Sequence, residues 1–385
     1  MEQYIPLSVP NLKGRELEYV THAVETEWVS TAGSYITDFE NEIKKYVGAE
    51  EAVACQSGTA GIHLALLACG IKQGDEVIVP TLTFVAAVNP IKYIGAEPVF
   101  MDCDEYMTID ANKLEEFITT QCYQEAGSLY NKKSGRPVTA IIAVHIFGNI
   151  ADMEKLCAIA NKYELKLIED ATEALGTYYK EGKYKGCFAG TLGDIGVFSF
   201  NGNKIITTGG GGMIVSNNKK RAEFCRHLST QAKADALYFD HDEIGYNYRM
   251  TNLQAALGLA QLEQLEGFIE RKEANYLEYQ NLGISLLEFR REIRPNYWFY
   301  SYLTDERDGL LQFLDRKHIQ SRPVWKLIHE LKPYKNHQTF KIEKATNFYN
   351  HVLNIPCSTN LSKSDVHRVA KVINEFNSIA IEVTR

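Results

Sequence analysis

The sequence predicts an α/β fold: a large domain on a mostly parallel sheet, followed by a smaller C-terminal α+β domain. Three observations carry this. From Ala52 onwards short apolar runs alternate with helical patterns, as in AVAC (52–55), DEVIVP (75–80), EPVFMDC (97–103), TAIIAVHIFG (139–148) and LKLIED (165–170). Apolar β runs separated by helices imply strands buried on both faces of a sheet whose connections cross over it. The chain has 385 residues, 45% apolar and 23% charged, enough for two domains sharing one extensive core. The C-terminal third mixes a strand, YWFYSYL (297–303), with helices at GLLQFLDRKH (309–318) and from Asp365 to Phe376.

The elements follow in order. An extended arm broken by Pro6 and Pro10 leads to a helix from about Lys13 to Thr26. A Gly-containing loop bearing Trp28 and Tyr35 precedes a second helix with Phe39, Ile43 and Tyr46 on one face. Helices from Thr59 to Cys69, Thr83 to Ile94 and Met153 to Tyr163 separate the first strands, and another lies near Lys219 to Leu228. The segment from Phe117 to Pro137 has turn residues and little periodicity, so it reads as a surface excursion. A long helix from Leu253 to Tyr279 carries Leu253, Leu257, Ala260, Leu265 and Ile269 in register. The domain boundary is placed along it, giving a large domain at 1–255 and a small one at 256–385.

Charge narrows the function. Forty-one basic residues against 49 acidic give a net charge of −8 with no basic run, which argues against a nucleic-acid partner. The eight cysteines are scattered without a C-x-x-C pair, and MEQYIPLSVP is not a secretory leader. They read as reduced core residues of a cytoplasmic protein. Gln56, His63 and Lys72 interrupt the apolar runs that could otherwise approach a membrane span.

The candidate chemistry centres on FSFNGNKIITTGGGGM (198–213): an apolar strand, a polar loop presenting Lys204, then four glycines. Buried strand on one side and Gly209 to Gly212 on the other let backbone and a bulky ligand approach the amine. A lysine amine held in a pocket can lose its proton and attack a carbonyl. LIEDATEALG ends a strand in Glu169 and Asp170, and CQSGTAG makes a strand-to-helix turn at Ser57, Gly58 and Thr59. Free N–H groups at a helix start favour an anion. Ser57, Phe84, His145 and Asp170 all follow strand carboxyl ends, where ligands bind in such sheets. Pyridinium partner, phosphate anchor and reactive lysine are the three parts that hold pyridoxal 5′-phosphate.

On these residues the whole chain resembles the DegT/DnrJ/EryC1/StrS sugar-nucleotide aminotransferases, most closely the legionaminic-acid type. The resemblance thins in the 117–137 segment and between Gln280 and Asn296. It implies the fold type I of pyridoxal-phosphate-dependent transferases, like aspartate aminotransferase. It further implies that Lys204 is the attachment point and catalytic base and that Asp170 is the partner of the ring nitrogen. Ser57, Gly58, Thr59 and Ser199 would hold the phosphate, and Phe84 would stack on the ring. Asn247 would reach the phosphate of the neighbouring subunit, so a homodimer with shared active sites is expected. Trp28, Tyr35, His145 and Arg249 are candidates to line the substrate site.

Two departures stand out. Glu173 occupies a position where many relatives have Gln or His donating to the cofactor's phenolic oxygen, so it must be protonated, turned away or facing the substrate. Gly209–Gly212 replaces the usual G-E-G-G.

The activity implied is amination of C4 of a nucleotide-linked 4-keto-6-deoxyhexose with L-glutamate, for surface-polysaccharide or nonulosonic-acid biosynthesis. A UDP-linked 2-acetamido-2,6-dideoxy-hexos-4-ulose is the expected acceptor, with a GDP- or dTDP-linked, perosamine-like sugar or a non-enzymatic pyridoxal-phosphate-binding regulator as alternatives. No basic helix-turn-helix segment supports the regulator. Lys204 argues against a dehydratase of the same fold, in which histidine replaces the lysine. CQSGTAG does not fit the G-x-G-x-x-G of a nicotinamide enzyme.

Overall fold

The computed structural model describes residues 3–235 and 237–383, with side chains described through 379. Eight strands form the large sheet: β1 (Glu51–Cys55), β2 (Glu76–Pro80), β3 (Glu97–Met101), β4 (Val138–Val144), β5 (Lys166–Asp170), β6 (Ile195–Ser199), β7 (Gly212–Ser216) and β8 (Thr339–Phe340). Their spatial order is β1-β7-β6-β5-β4-β2-β3-β8. Every neighbouring pair is parallel except β1–β7 and β7–β6, so β7 alone runs against the rest. The sheet has the mostly parallel topology expected of fold type I.

The unbroken apolar runs have a direct cause. Side chains alternate across a strand, and here both faces meet a core. Ile141 and Ala143 enter one buried cluster while Ala140, Ile142 and Val144 enter the other. The same division holds for Met213 and Val215 against Ile214.

Three elements differ from expectation. The long helix is two, Asn252–Leu262 and Leu265–Asn281. At the break, Gln261 and Gln264 each turn a side-chain amide to Glu16 Oε1, at 2.6 and 2.5 Å, a contact 245 and 248 residues away in sequence. The expected helix from Thr83 is a short 3₁₀ turn, Val85–Ala87, and a helix restarting at Asn89–Tyr93. Pro90 falls in the first turn of the second piece, where its missing N–H is tolerated. The 117–137 segment is more ordered than an excursion: the helix Ala111–Gln121 runs into it, and Cys122–Glu125 pairs with Ser128–Asn131 as a hairpin. Its turn uses Ala126 and Gly127 at positive φ, and Tyr123 stacks on Tyr130 across the strands.

Beyond the helix pair, Tyr300–Leu303, Val352–Ile355 and Arg322–Pro323 form a three-stranded antiparallel sheet, with the final helix at Lys363–Val383. We propose the division of the chain within this helix pair. Strand β8, from beyond it, returns to the edge of the large sheet beside β3.

Candidate active site

At the carboxyl edge of the large sheet lies a cavity of about 440 Å³. Ser57, Gly58, Thr59, Phe84, Asp170, Glu173, Ser199 and Lys204 all line it, so eight residues singled out from separate stretches of sequence meet there.

The turn after β1 places Ser57 in extended backbone as the N-cap of the helix Gly58–Ala68, its Oγ accepting from the Ala60 N–H at 3.1 Å. The first N–H groups of that helix have no intrahelical acceptor and face an anion well. Two glycines allow the close packing around this turn. A Cβ on Gly58 would lie 2.8 Å from Thr172 Cγ2, and one on Gly212 would lie 2.6 Å from the Ser57 carbonyl carbon. The strand β7 can therefore run directly beside the helix start only without a side chain there.

Asp170 ends β5, is 4% exposed and accepts from the Thr172 N–H at 3.1 Å. Burial pushes its carboxyl up, opposed by the Thr172 hydroxyl and N–H, and by Lys204 and His145. Its neighbour Glu169 projects to the opposite face, as alternation requires. That carboxylate accepts from the Gly190, Leu192 and Gly193 N–H groups at 2.8, 2.6 and 2.5 Å.

Lys204 reaches the cavity from the loop after β6. Its Nζ lies 3.4 Å from Glu173 Oε1 and 4.1 Å from the centre of the Trp298 ring, whose Nε1 donates to the Asn203 carbonyl at 2.7 Å. Glu173 is buried, and its Oε2 accepts from the Phe147 N–H at 2.9 Å. Of the possibilities left by the sequence, the geometry removes one: Glu173 is not turned away, since its carboxyl faces Lys204. Burial pushes its carboxyl up to about 7, with Lys204 and the Phe147 N–H opposing the rise. Phe84 is half exposed, its ring 5.8 Å from that of Trp325.

Two candidates are corrected. His145 is fully buried and does not line the cavity. The Ala151 N–H donates to its Nδ1 at 3.2 Å, which leaves the proton on Nε2 to donate to Glu169 at 2.7 Å. Both ring nitrogens are thus committed to holding the fold. Arg249 lies behind β1, where its Nη1 donates to Glu40 Oε1 at 2.5 Å and to the Ala54 carbonyl at 3.2 Å. Glu40 also pairs with Arg226 at 2.8 Å, so the Arg249 charge belongs to a largely buried cluster.

Three candidates sit outside this chain's cavity. Trp28 and Tyr35 line a separate cleft with His22 and Asn252; Tyr35 Oη meets His22 Nδ1 at 3.1 Å, and Trp28 is 57% exposed. Asn247 is exposed and bridges to Thr230. Sequence reasoning missed Trp298, Arg322 and Trp325, which reach the cavity from beyond the helix pair. The aromatic cluster YWFYSYL was the one signal for Trp298, and it reads equally as a core strand.

The DegT/DnrJ/EryC1/StrS aminotransferase family matches residues 10–374. The chain is 41% identical to the GDP-perosamine synthase of Escherichia coli O157:H7, over 98% of this chain and 99% of that one. It is 29% identical to the UDP-4-amino-4,6-dideoxy-N-acetyl-beta-L-altrosamine transaminase of Campylobacter jejuni, over 94% of each. Among solved structures, a DegT DnrJ EryC1 StrS aminotransferase from Brucella abortus superposes with a TM-score of 0.86 at 28% identity, covering 94% of this chain and 95% of that one.

Proposed function

Because the chain belongs to the DegT/DnrJ/EryC1/StrS aminotransferase family, and is a pyridoxal-phosphate-dependent sugar-nucleotide aminotransferase, we propose that it aminates C4 of a GDP-linked 4-keto-6-deoxyhexose with L-glutamate. The observation that carries the chemistry is the meeting of Lys204, Asp170 and the free N–H groups of the helix Gly58–Ala68 around one cavity.

The residues fit the cofactor. Among the described residues only Thr172 hydrogen-bonds the buried Asp170 carboxyl, so a cation at the cavity floor would satisfy it. The Gly58 and Thr59 N–H groups, with the Ser57, Thr59 and Ser199 hydroxyls, are the donor set a phosphate needs. When bound, pyridoxal phosphate supplies an electron sink for the pair left on carbon as its proton departs.

The rest is the work of this chain. Asp170 keeps the ring nitrogen protonated, because a nearby carboxylate in a poorly solvated pocket favours the charged partner. Lys204 holds the cofactor at rest and moves the proton during turnover. The Trp298 ring limits where its amine can go. Glu173 faces that amine with its carboxyl pushed up by burial to about 7. Phe84 covers one side of the cavity.

The acceptor reading rests on likeness to the GDP-perosamine synthase across nearly the whole chain. A UDP-linked 2-acetamido-2,6-dideoxy-hexos-4-ulose, which the sequence suggested first, is the second reading and is favoured by the UDP-sugar transaminase. The enzyme acts as a homodimer in the cytoplasm, with Asn247 and the Trp28–Tyr35 loop serving the neighbouring site; all three residues lie outside their own chain's cavity. Among the described residues no helix is long and apolar enough to cross a membrane. Comparing kcat/KM for GDP- and UDP-linked 4-keto-6-deoxy sugars, with NMR of the aminated product, tests the acceptor. A preference for the UDP sugar would replace the first reading with the second, and no turnover of either would refute both.

A further inference from the structure

The charged groups around the cavity are unequally matched. Asp170 and Glu173 are carboxyl groups deep in its wall, and Lys204 already faces Glu173 at 3.4 Å. Arg322 also lines the cavity, yet among the described residues no carboxylate lies within ion-pairing distance of its guanidinium. Other arginines beyond the helix pair are engaged: Arg290 with Asp104, Arg294 with Glu266 and Arg307 with Asp308.

The backbone beneath Arg322 is fixed. Arg322 pairs with Asn354 and Pro323 with Leu353 at the edge of the three-stranded sheet, and proline restricts the chain leaving that strand. Two residues on, the Trp325 ring packs 5.0 Å from Phe147 and 5.8 Å from Phe84. Phe147 is the residue whose N–H holds Glu173. The segment bearing Arg322 is thereby tied to the wall that bears Glu173, and Arg322, itself exposed, lines the cavity from that segment.

We propose that Arg322 is the anchor for an anionic group of the substrate, either the carboxylate of the amino donor or the diphosphate of the sugar nucleotide. The proposal rests on the aminotransferase reading, under which both substrates are anions using the same cavity in alternate half-reactions. A guanidinium is planar and always charged, and its fork matches the two oxygens of a carboxylate or a phosphate. Without it, an incoming anion meets a wall containing two carboxyl groups and one lysine that is already matched. Arg249, which the sequence had placed at the substrate site, cannot serve in this way, because Glu40 takes up its charge.

The test is calorimetric titration of the holoenzyme and of Arg322→Gln with glutarate, GDP and UDP. Glutarate has no amino group to react and carries the carboxylates alone, while the nucleotides carry the diphosphate alone. Loss of a charge-assisted pair is expected to weaken at least one probe about 10- to 100-fold. Weaker glutarate with unchanged nucleotides assigns the anchor to the amino donor. The reverse assigns it to the sugar nucleotide, and weakening of both assigns it to the two in turn. Arg322→Lys separates the chemistry further, since it restores the charge without the fork. Binding of all three probes to Arg322→Gln with wild-type affinity would overturn the proposal. Failure of the aminotransferase reading shows separately, as wild-type enzyme that forms no 2-oxoglutarate from glutamate.

Discussion

Glu173→Gln isolates the electrostatic cost of the carboxyl that faces the lysine. Burial pushes the group from an ordinary 4.5 to about 7. The folded protein therefore holds this proton more tightly than the unfolded chain, and between those two values folding takes up a proton. Stability contributed by the group is fully present below the lower value and is lost as pH rises through the upper one. At 1.36 kcal/mol per pH unit, the interval corresponds to a loss of about 3 kcal/mol. Glutamine does not titrate, and its amide oxygen can still accept from the Phe147 N–H that now binds Oε2. The stability of the variant minus that of wild type should therefore rise by up to about 3 kcal/mol between about pH 4.5 and about pH 8. The assay is urea unfolding of the cofactor-free proteins across that range. A difference that stays constant with pH would refute the reasoning, because it would mean that Glu173 titrates alike in both states.

Four further perturbations separate roles. Lys204→Ala should abolish transamination and the visible absorbance of the lysine-bound cofactor while leaving the circular dichroism unchanged; near-wild-type turnover would contradict the assignment. Asp170→Asn should slow the glutamate half-reaction by orders of magnitude in stopped-flow absorbance while still taking up cofactor, since a neutral ring is a poor electron sink. His145→Ala should cost about 3 kcal/mol in urea unfolding, because it strips a donor from the buried Glu169, with kcat per folded enzyme unchanged; a specific loss of kcat would return His145 to the site. Asn247→Ala should weaken cofactor affinity in equilibrium dialysis only if the residue serves a neighbouring chain, and a catalytically competent monomer in light scattering would exclude that role.

Much of the site was legible because its chemistry sits at strand ends. Lys204, Asp170 and Ser57 each follow an apolar run, and the sheet brings such ends to one edge irrespective of their separation in sequence. What escaped depended on long-range pairing. Arg249 looked available until folding brought Glu40 to it across 209 residues. His145 has a strand-end address, but alternation turns it to the face where Glu169 waits. Arg322 and Trp325 carry no local pattern tying them to Phe84, more than 200 positions earlier, since only the return of the C-terminal chain creates that wall. The division of the long helix was hidden for the same reason, because its periodicity continues through Gln264 while its break answers to Glu16.

The reversed direction of β7 sets how tolerant this region is to changes in length. Since β6 and β7 are antiparallel neighbours, Ser199 pairs with Gly212, and the intervening chain leaves and re-enters the sheet at the same edge. Its base is closed by the Phe200 N–H donating to the Gly211 carbonyl at 2.9 Å and the Thr208 N–H donating to the Phe200 carbonyl at 2.9 Å. Lys204 is suspended between two fixed posts, so adding or deleting one residue there displaces the amine itself. The hairpin at 122–131 is closed by its own strand pairing and lines no part of the cavity. Length variation can accumulate there at little cost to catalysis, whereas the chain from Ser199 to Gly212 is held to a fixed count.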